Sequence, residues 1–356
     1  MIRVLLADDS TSVRAVLRRL FARTADIRVV AEAADGAQAV QAVLDHLPQV
    51  VLMDLLMPVM DGYAAIERIM TLRPTPIVVL SSRANRNQMQ IAFEAIRRGA
   101  IEVLPKPEDT ASWEALAGSL PQTVRVAAEA RPRTPPRAAA PSPRQQGGGG
   151  GGAAPGSGQA SREGWMRWVA IGASTGGPAA LRELLEEMPP EPPVSFLVVQ
   201  HIAAGFEAAM AEWLNKELPL DVRLARDAEA PRQGAVRLAP AGAHLRLQRG
   251  GLLRLDAETP ARRGHRPSVD ELFLSCAECC ARQSAGVLLT GMGSDGAEGL
   301  AALRRGGALT MVQDEASSVV FGMPRVALER GAAELALPPR DLARLLARGW
   351  RPPGEG

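Results

Sequence analysis

The chain has 356 residues, 46% of them hydrophobic and 22% charged, with a formal net charge of +2, a length that suits about two domains, each with its own core. Nearly balanced charge, with only six Phe, five Trp and one Tyr, provides neither the basic footprint nor the stacking aromatics of a nucleic-acid-binding protein. No apolar run approaches the ~20 residues needed to span a bilayer, and the N-terminus runs into Asp8-Asp9 rather than a signal-peptide cleavage site, so no membrane insertion and a cytoplasmic monomer are expected.

Residues 1–122 alternate short apolar runs, Ile2–Ala7, Arg28–Ala31, Val50–Met53, Ile77–Leu80 and Ile101–Leu104, with amphipathic helical patterns. This alternation predicts a doubly wound, parallel α/β domain. Asp8 and Asp9 follow the first run and Asp54 follows the third, and in such a sheet those strand ends are neighbours. One carboxylate could cap a helix; three that converge call for a cation, and Mg²⁺ suits a site of carboxylate oxygen, backbone carbonyl and water. Lys106 follows the fifth run, and only it and Lys216 are lysines among 41 basic residues. A flexible point charge there can reach an anion held at the carboxylates. Ser81 adds a hydroxyl on the same edge. The domain resembles the receiver domain of two-component response regulators, through Met53-Asp54-Leu55-Leu56-Met57-Pro58-Val59-Met60-Asp61-Gly62 above all. That resemblance implies a flavodoxin-like fold in which Asp54 accepts a phosphoryl group from a histidine sensor kinase. It places Mg²⁺ on Asp8, Asp9, Asp54 and the Leu56 carbonyl, and Ser81 and Lys106 on the phosphoryl oxygens. The position three before the lysine, where such domains often carry an aromatic switch residue, is Val103.

From 123 to 163 the periodicity gives way to Arg131-Pro132-Arg133-Thr134-Pro135-Pro136-Arg137 and an unbroken glycine run, Gly147 to Gly152. Such a segment cannot bury enough apolar surface to fold, so a disordered linker is expected.

The remainder, 164–350, predicts a second parallel α/β domain with strands near Val169, Leu197, Val222, Leu288 and Thr310. The segment Val236–Leu255, with turns at Gly242 and Gly250-Gly251, reads as short antiparallel strands beside the site. An apolar strand feeds Gly172-Ala173-Ser174-Thr175-Gly176-Gly177 and then a helix, the pattern of a nucleophile elbow with Ser174 held clear of the backbone. A glycine-rich turn of this kind can instead cradle phosphate on its free N–H groups. Of the chain's four histidines, His46, His201, His244 and His265, His201 ends the next strand and is the candidate general base, while His46 sits late in an amphipathic helix. Asp295, in the turn Thr290-Gly291-Met292-Gly293-Ser294-Asp295-Gly296, reaches the same edge; it could also cap the helix that follows. The order Ser, His, Asp differs from the Ser, Asp, His of α/β-hydrolases, but triads recur on unrelated folds. Cys276, Cys279 and Cys280 share one helical stretch and read as core or half-buried helix residues, their odd count arguing against a disulfide framework.

The elbow, His201 after Val198-Val199-Gln200, Arg266-Pro267-Ser268-Val269-Asp270, the turn at Gly291, and Gln313-Asp314 with Phe321-Gly322-Met323-Pro324 together resemble the chemotaxis protein-glutamate methylesterases, in their order. The family usually carries proline where this chain has Ile202-Ala203-Ala204-Gly205-Phe206. The resemblance implies a Ser174–His201–Asp295 triad acting through an acyl-enzyme, with no cofactor in the esterase site. Backbone N–H groups near Thr175 and Met292 would hold the oxyanion, and Arg266 and Ser268 would line the substrate groove. The implied substrate is the methylated glutamate of chemoreceptor helices, with deamidation of receptor glutamine as a second activity.

Overall fold

A computed structural model describes residues 1–81, 86–107, 109–132 and 166–347; most of the expected linker lies outside these residues. The first domain runs β1 (Ile2–Ala7), α1 (Thr11–Ala22), β2 (Ile27–Ala33), α2 (Gly36–His46), β3 (Val50–Asp54), α3 (Gly62–Leu72), β4 (Ile77–Ser81), α4 (Arg86–Arg97), β5 (Glu102–Pro105) and α5 (Thr110–Glu129). Its parallel sheet has the order β2-β1-β3-β4-β5, the flavodoxin-like winding that reverses direction between β1 and β3 and opens a crevice at their carboxyl ends. β3 and β4 are buried throughout, which is why they appear in the sequence as unbroken apolar runs. Helix starts follow local chemistry: Asp35 accepts from Gln38 N at 2.8 Å and Asp61 from Ala64 N at 2.8 Å, each satisfying a first-turn N–H that the helix itself leaves unpaired.

The second domain contains β6 (Trp168–Ala173), α6 (Gly177–Glu186), β7 (Ser195–Gln200), α7 (Phe206–Glu217), β8 (Asp221–Leu224), β9 (Ala235–Leu238), β10 (His244–Leu247), β11 (Leu253–Asp256), α8 (Val269–Cys280), β12 (Ser284–Leu288), α9 (Ala297–Arg305), β13 (Leu309–Gln313), α10 (Met323–Glu329), β14 (Leu335–Leu337) and α11 (Pro339–Ala347). The sheet order is β14-β13-β12-β6-β7-β9-β8, and every pairing in it is parallel. Only β10 and β11 form the antiparallel hairpin expected of Val236–Leu255. β9 is a correction: it enters the main sheet between β7 and β8.

The two domains pack directly. Phe93 of α4 is fully buried, stacked on Trp213 at 5.5 Å between ring centroids and edge-on to Phe206 at 6.4 Å, both on α7. Burying one phenylalanine contributes about 1.5–3 kcal/mol, so this ring is an anchor of the interface. Helix α5 continues past residue 122 to Glu129 with Pro121 inside it, because Leu116, Leu120, Val124 and Ala127 form one buried face against the receiver core. Val319 and Val320 of the second domain pack on the same cluster. Among the described residues no helix is long and apolar enough to cross a membrane.

Candidate active site

Ser174 is delivered by β6 and turned at Gly176, whose φ of 77° starts α6 in a conformation that costs glycine little. The turn is held from several sides. Ser174 N donates to Thr290 O at 3.0 Å and Gly177 N to Ser174 O at 2.8 Å, while Gln200 Nε2 donates to Ser174 O at 2.8 Å. His201 sits beside it because β7 pairs with β6, and His201 N donates to Ala173 O at 2.9 Å. The pairing of adjacent parallel strands thus fixes both side chains at one sheet edge.

Asp295 bonds to His201 Nε2 through Oδ2 at 2.9 Å. The same carboxylate accepts from Val269 N at 2.8 Å, Asp270 N at 3.0 Å and Ser268 Oγ at 2.8 Å. Burial works against its charge, but the His201 bond and these N–H groups outweigh burial and hold the carboxyl far below the usual carboxylate range. The cap suggested by sequence exists on another helix: α9 is capped by Gly296, whereas Asp295 satisfies the first N–H groups of α8, where the helix dipole favours an anion. With Nε2 engaged, His201 Nδ1 is buried without a hydrogen-bond partner and is the ring atom left to exchange a proton.

His265, given no role by the sequence reading, lies face to face with His201, the ring centroids 3.9 Å apart and the planes at 2°. Burial, then the neighbouring His201, holds its pKa below the ordinary histidine value. The other two histidines stand apart: His46 is exposed, and His244 is buried and bonded to Ser268 N and Pro260 O. Beside His201 a cavity of about 240 Å³ is lined by Glu207, His265, Arg266 and Pro267 among others. Arg266 reaches this groove, tethered to Ala257 O at 2.9 Å. Ser268 does not: it is fully buried and spent on Asp295, which corrects its expected place in the groove. Gly205, in the segment without proline, takes φ 93° to start α7.

Met292 is 43% exposed, and its sulfur accepts from Gln122 Nε2 of α5 at 3.1 Å. Thr175 hydrogen-bonds Glu102 of β5, whose carboxyl is pushed up to about 8 by burial. Both expected oxyanion residues are therefore touched by the first domain.

In that domain Asp8, Asp9 and Asp54 present carboxylate oxygens within 4.8 Å of one another. Lys106 Nζ lies 2.7 Å from Asp8 and 2.8 Å from Asp54; burial opposes its charge, but the two carboxylates outweigh it and raise its pKa. The Asp8 pKa is also raised, chiefly by burial, which disfavours its charged form and outweighs Lys106. Such an all-oxygen cluster, with one member still burdened by its charge, fits a hard divalent cation. Ser81 is buried at the end of β4 and its carbonyl accepts from Lys106 N at 2.7 Å. Leu56 lies just beyond β3 with its side chain exposed, and Val103 is buried in the core.

Ser174 and His201, with Asp295 bonded to the histidine, thus lie at one edge of a parallel sheet on a fold other than the α/β-hydrolase one, docked to a receiver-like domain. Residues 169–346 match the family model for CheB methylesterase, and residues 4–116 that for the response regulator receiver domain. The chain belongs to the CheB methylesterase family. A protein-glutamate methylesterase/protein-glutamine glutaminase of Cupriavidus pinatubonensis is 41% identical over 360 residues, 99% of each chain. One of Anaeromyxobacter dehalogenans is 42% identical over 357 residues, 97% of this chain and 96% of its own. The crystal structure of the Thermotoga maritima CheB methylesterase catalytic domain is 34% identical with a TM-score of 0.50, covering 51% of this chain and 98% of that one.

Proposed function

We propose that this protein is a phosphorylation-regulated protein-glutamate methylesterase that acts on methylated chemoreceptor helices and also deamidates receptor glutamine. The observation that carries the chemistry is the His201–Asp295 bond beside the Ser174 turn. Ser174 Oγ attacks the ester carbonyl while His201 takes its proton at Nδ1, and the Asp295 carboxylate holds the ring in one orientation and stabilises the imidazolium. N–H groups near Thr175 and Met292 receive the developing oxyanion. His201 returns the proton to the departing methoxide, giving methanol and the acyl-enzyme; water then enters by the same route in reverse and frees glutamate. An amide passes through a similar tetrahedral intermediate, so glutamine would lose ammonia in place of methanol. Arg266, which lines the groove beside His201, would contact the substrate there.

In the receiver domain Asp54 accepts the phosphoryl group from a histidine sensor kinase. Mg²⁺, held by Asp8, Asp9, Asp54 and the Leu56 carbonyl, would neutralise charge there, and Lys106 and Ser81 would contact the phosphoryl oxygens. The protein works as a cytoplasmic monomer, without nucleic-acid partners.

The test is mass spectrometry of methylated receptor peptides after incubation with the enzyme. Ser174→Ala and His201→Ala are each expected to lower kcat by ~10⁴-fold or more, with Asp295→Asn leaving a small residual rate. Near-normal turnover in Ser174→Ala would reduce the second domain to a binding module.

A further inference from the structure

Residues 262–265 make a tight turn beside His201 that the esterase chemistry does not use. Arg262 N donates to His265 O at 3.0 Å and His265 N to Arg262 O at 2.9 Å, while the two central residues, Arg263 and Gly264, take φ 51° and 86°. A two-residue turn with positive φ at both centres suits glycine; at Arg263 it works against the side chain. Ion pairs hold it in place. Arg263 Nη1 donates to Ser294 Oγ at 3.0 Å and its Nη2 to Glu298 Oε2 at 3.2 Å. Arg262 Nη1 donates to Glu271 Oε1 of α8 at 2.9 Å, and its Nη2 lies 2.9 Å from Glu298 Oε1 of α9. Both guanidinium groups also face Asp270 Oδ2, which is buried without a hydrogen-bond partner, 3.7 Å from Arg262 Nε and 3.8 Å from Arg263 Nε.

These contacts converge on the two groups that touch His201. His265, the last residue of the turn, stacks on its ring at 3.9 Å. Ser294, gripped by Arg263, precedes Asp295, and Asp270 donates its backbone N–H to Asp295 at 3.0 Å. We propose that Arg262 and Arg263 are positioning residues, a paired clamp that fixes the 262–265 turn on α8 and α9 and so holds His265 against one face of His201. Its effect on rate rests on the esterase reading above. With Nε2 tied to Asp295, the His201 ring can still tilt about that bond, and the His265 face blocks the tilt on one side. Gly264, His265 and Arg266 line the groove, whereas Arg262 and Arg263 do not, so the clamp acts through the turn and not on the substrate. A misplacement of about 1 Å between reacting groups can cost ~10²-fold in rate, and loosening one face of His201 should cost roughly tenfold.

With only four histidines in the chain, imidazole NMR of the full-length, histidine-labelled protein reads the stack directly and without substrate. Wild type and Ser174→Ala are expected to show a His201–His265 ring contact. The paired variant Arg262→Ala/Arg263→Gly should lose it while keeping a cooperative melt, because glycine suits the φ that Arg263 adopts and the turn survives without its grip. The same variant should lower kcat on methylated receptor peptides roughly tenfold, and restoring Arg262 beside Arg263→Gly should recover part of both the contact and the rate. Adding His265→Ala to the paired variant should cost little more, since the clamp acts through that ring. A ring contact or a wild-type kcat that persists in the paired variant, or a His265→Ala loss that multiplies in full on top of it, overturns the assignment. A wild type without turnover, whose ring contact is nonetheless lost in the paired variant, supports the clamp and counts against the esterase reading.

Discussion

In the proposed triad, Asp295 is oriented by groups that would never meet the substrate. Its oxygens face His201 on one side and Ser268, Val269 and Asp270 on the other, so the carboxylate is oriented before any reaction begins. Removing one neutral donor while the backbone N–H groups remain should cost on the order of 1 kcal/mol in the charge-bearing state. Ser268→Ala is therefore expected to lower kcat by roughly fivefold to tenfold with KM unchanged, since its hydroxyl is buried away from the groove; an unchanged kcat would remove Ser268 from the orienting shell. His265 acts differently. Its ring stacks on an imidazole that, in the proposed mechanism, carries positive charge during turnover, so its neutral form, favoured by its lowered pKa, is the useful one. His265→Phe should stay within a few-fold of wild type in kcat/KM, whereas His265→Arg, which puts a permanent cation against His201, should fall by about tenfold or more. Equal losses in the two variants would mean that size at this position matters and charge does not.

At the level of elements, turns carry the site and strands only aim them. Gly291 shows the tolerance: a Cβ there would lie 2.6 Å from Ser174 Cβ and collide with Met323 Sδ. The strands around it are buried from both faces and stay put, so the turn must give. Gly291→Ala should retain a cooperative melt within a few degrees of wild type and lose ~10²-fold in esterase rate; a normal rate with a lowered Tm would show that the strain is absorbed elsewhere. The strands, the elbow and the partner turns were legible because fully buried parallel strands are written as apolar runs ended by glycine. β9 was not, and the cause is Arg237. This side chain is buried, ion-paired to Asp221 at 3.1 Å and to Glu229, so Ala-Val-Arg-Leu mimics the alternation of a half-exposed antiparallel strand. Helix α5 outran its expected end because tertiary burial of Leu120 and Val124 carries it through Pro121. The parts of the site that escaped detection, Ser268 as an orienting donor and His265 as a stacking ring, depend on where α8 packs against the turn at Asp295. No local spacing encodes that.

Over the whole molecule, the receiver sits on the machinery it is proposed to regulate. Phe93 anchors α4 on α7, Gln122 touches Met292, and Glu102 touches Thr175. Removing residues 1–132 should therefore raise the esterase rate. Phosphorylation of Asp54, with Mg²⁺ and a small-molecule phosphodonor, should do the same; a tenfold activation needs only about 1.4 kcal/mol of differential stability between docked and loosened arrangements. Asp54→Ala should keep the basal rate and lose the response. Glu102 makes the docking depend on pH in a definite direction. Docked, its carboxyl is held up to about 8 by burial, from an ordinary value of 4.5; undocked, it meets water and returns toward that value. The docked state thus binds the extra proton throughout this window. Docking is at full strength below pH 4.5 and weakens as pH rises toward 8, by up to a factor of ten per pH unit. The measurement is the ratio of full-length to receiver-deleted esterase rate between pH 5 and 9, a ratio that divides out the pH dependence the two forms share. It should climb with pH in the wild type and be nearly flat in Glu102→Gln, whose neutral amide keeps the contact without the charge. A flat wild-type ratio would sink the claim that Glu102 couples docking to pH, while leaving the truncation result to decide whether the receiver covers the site at all.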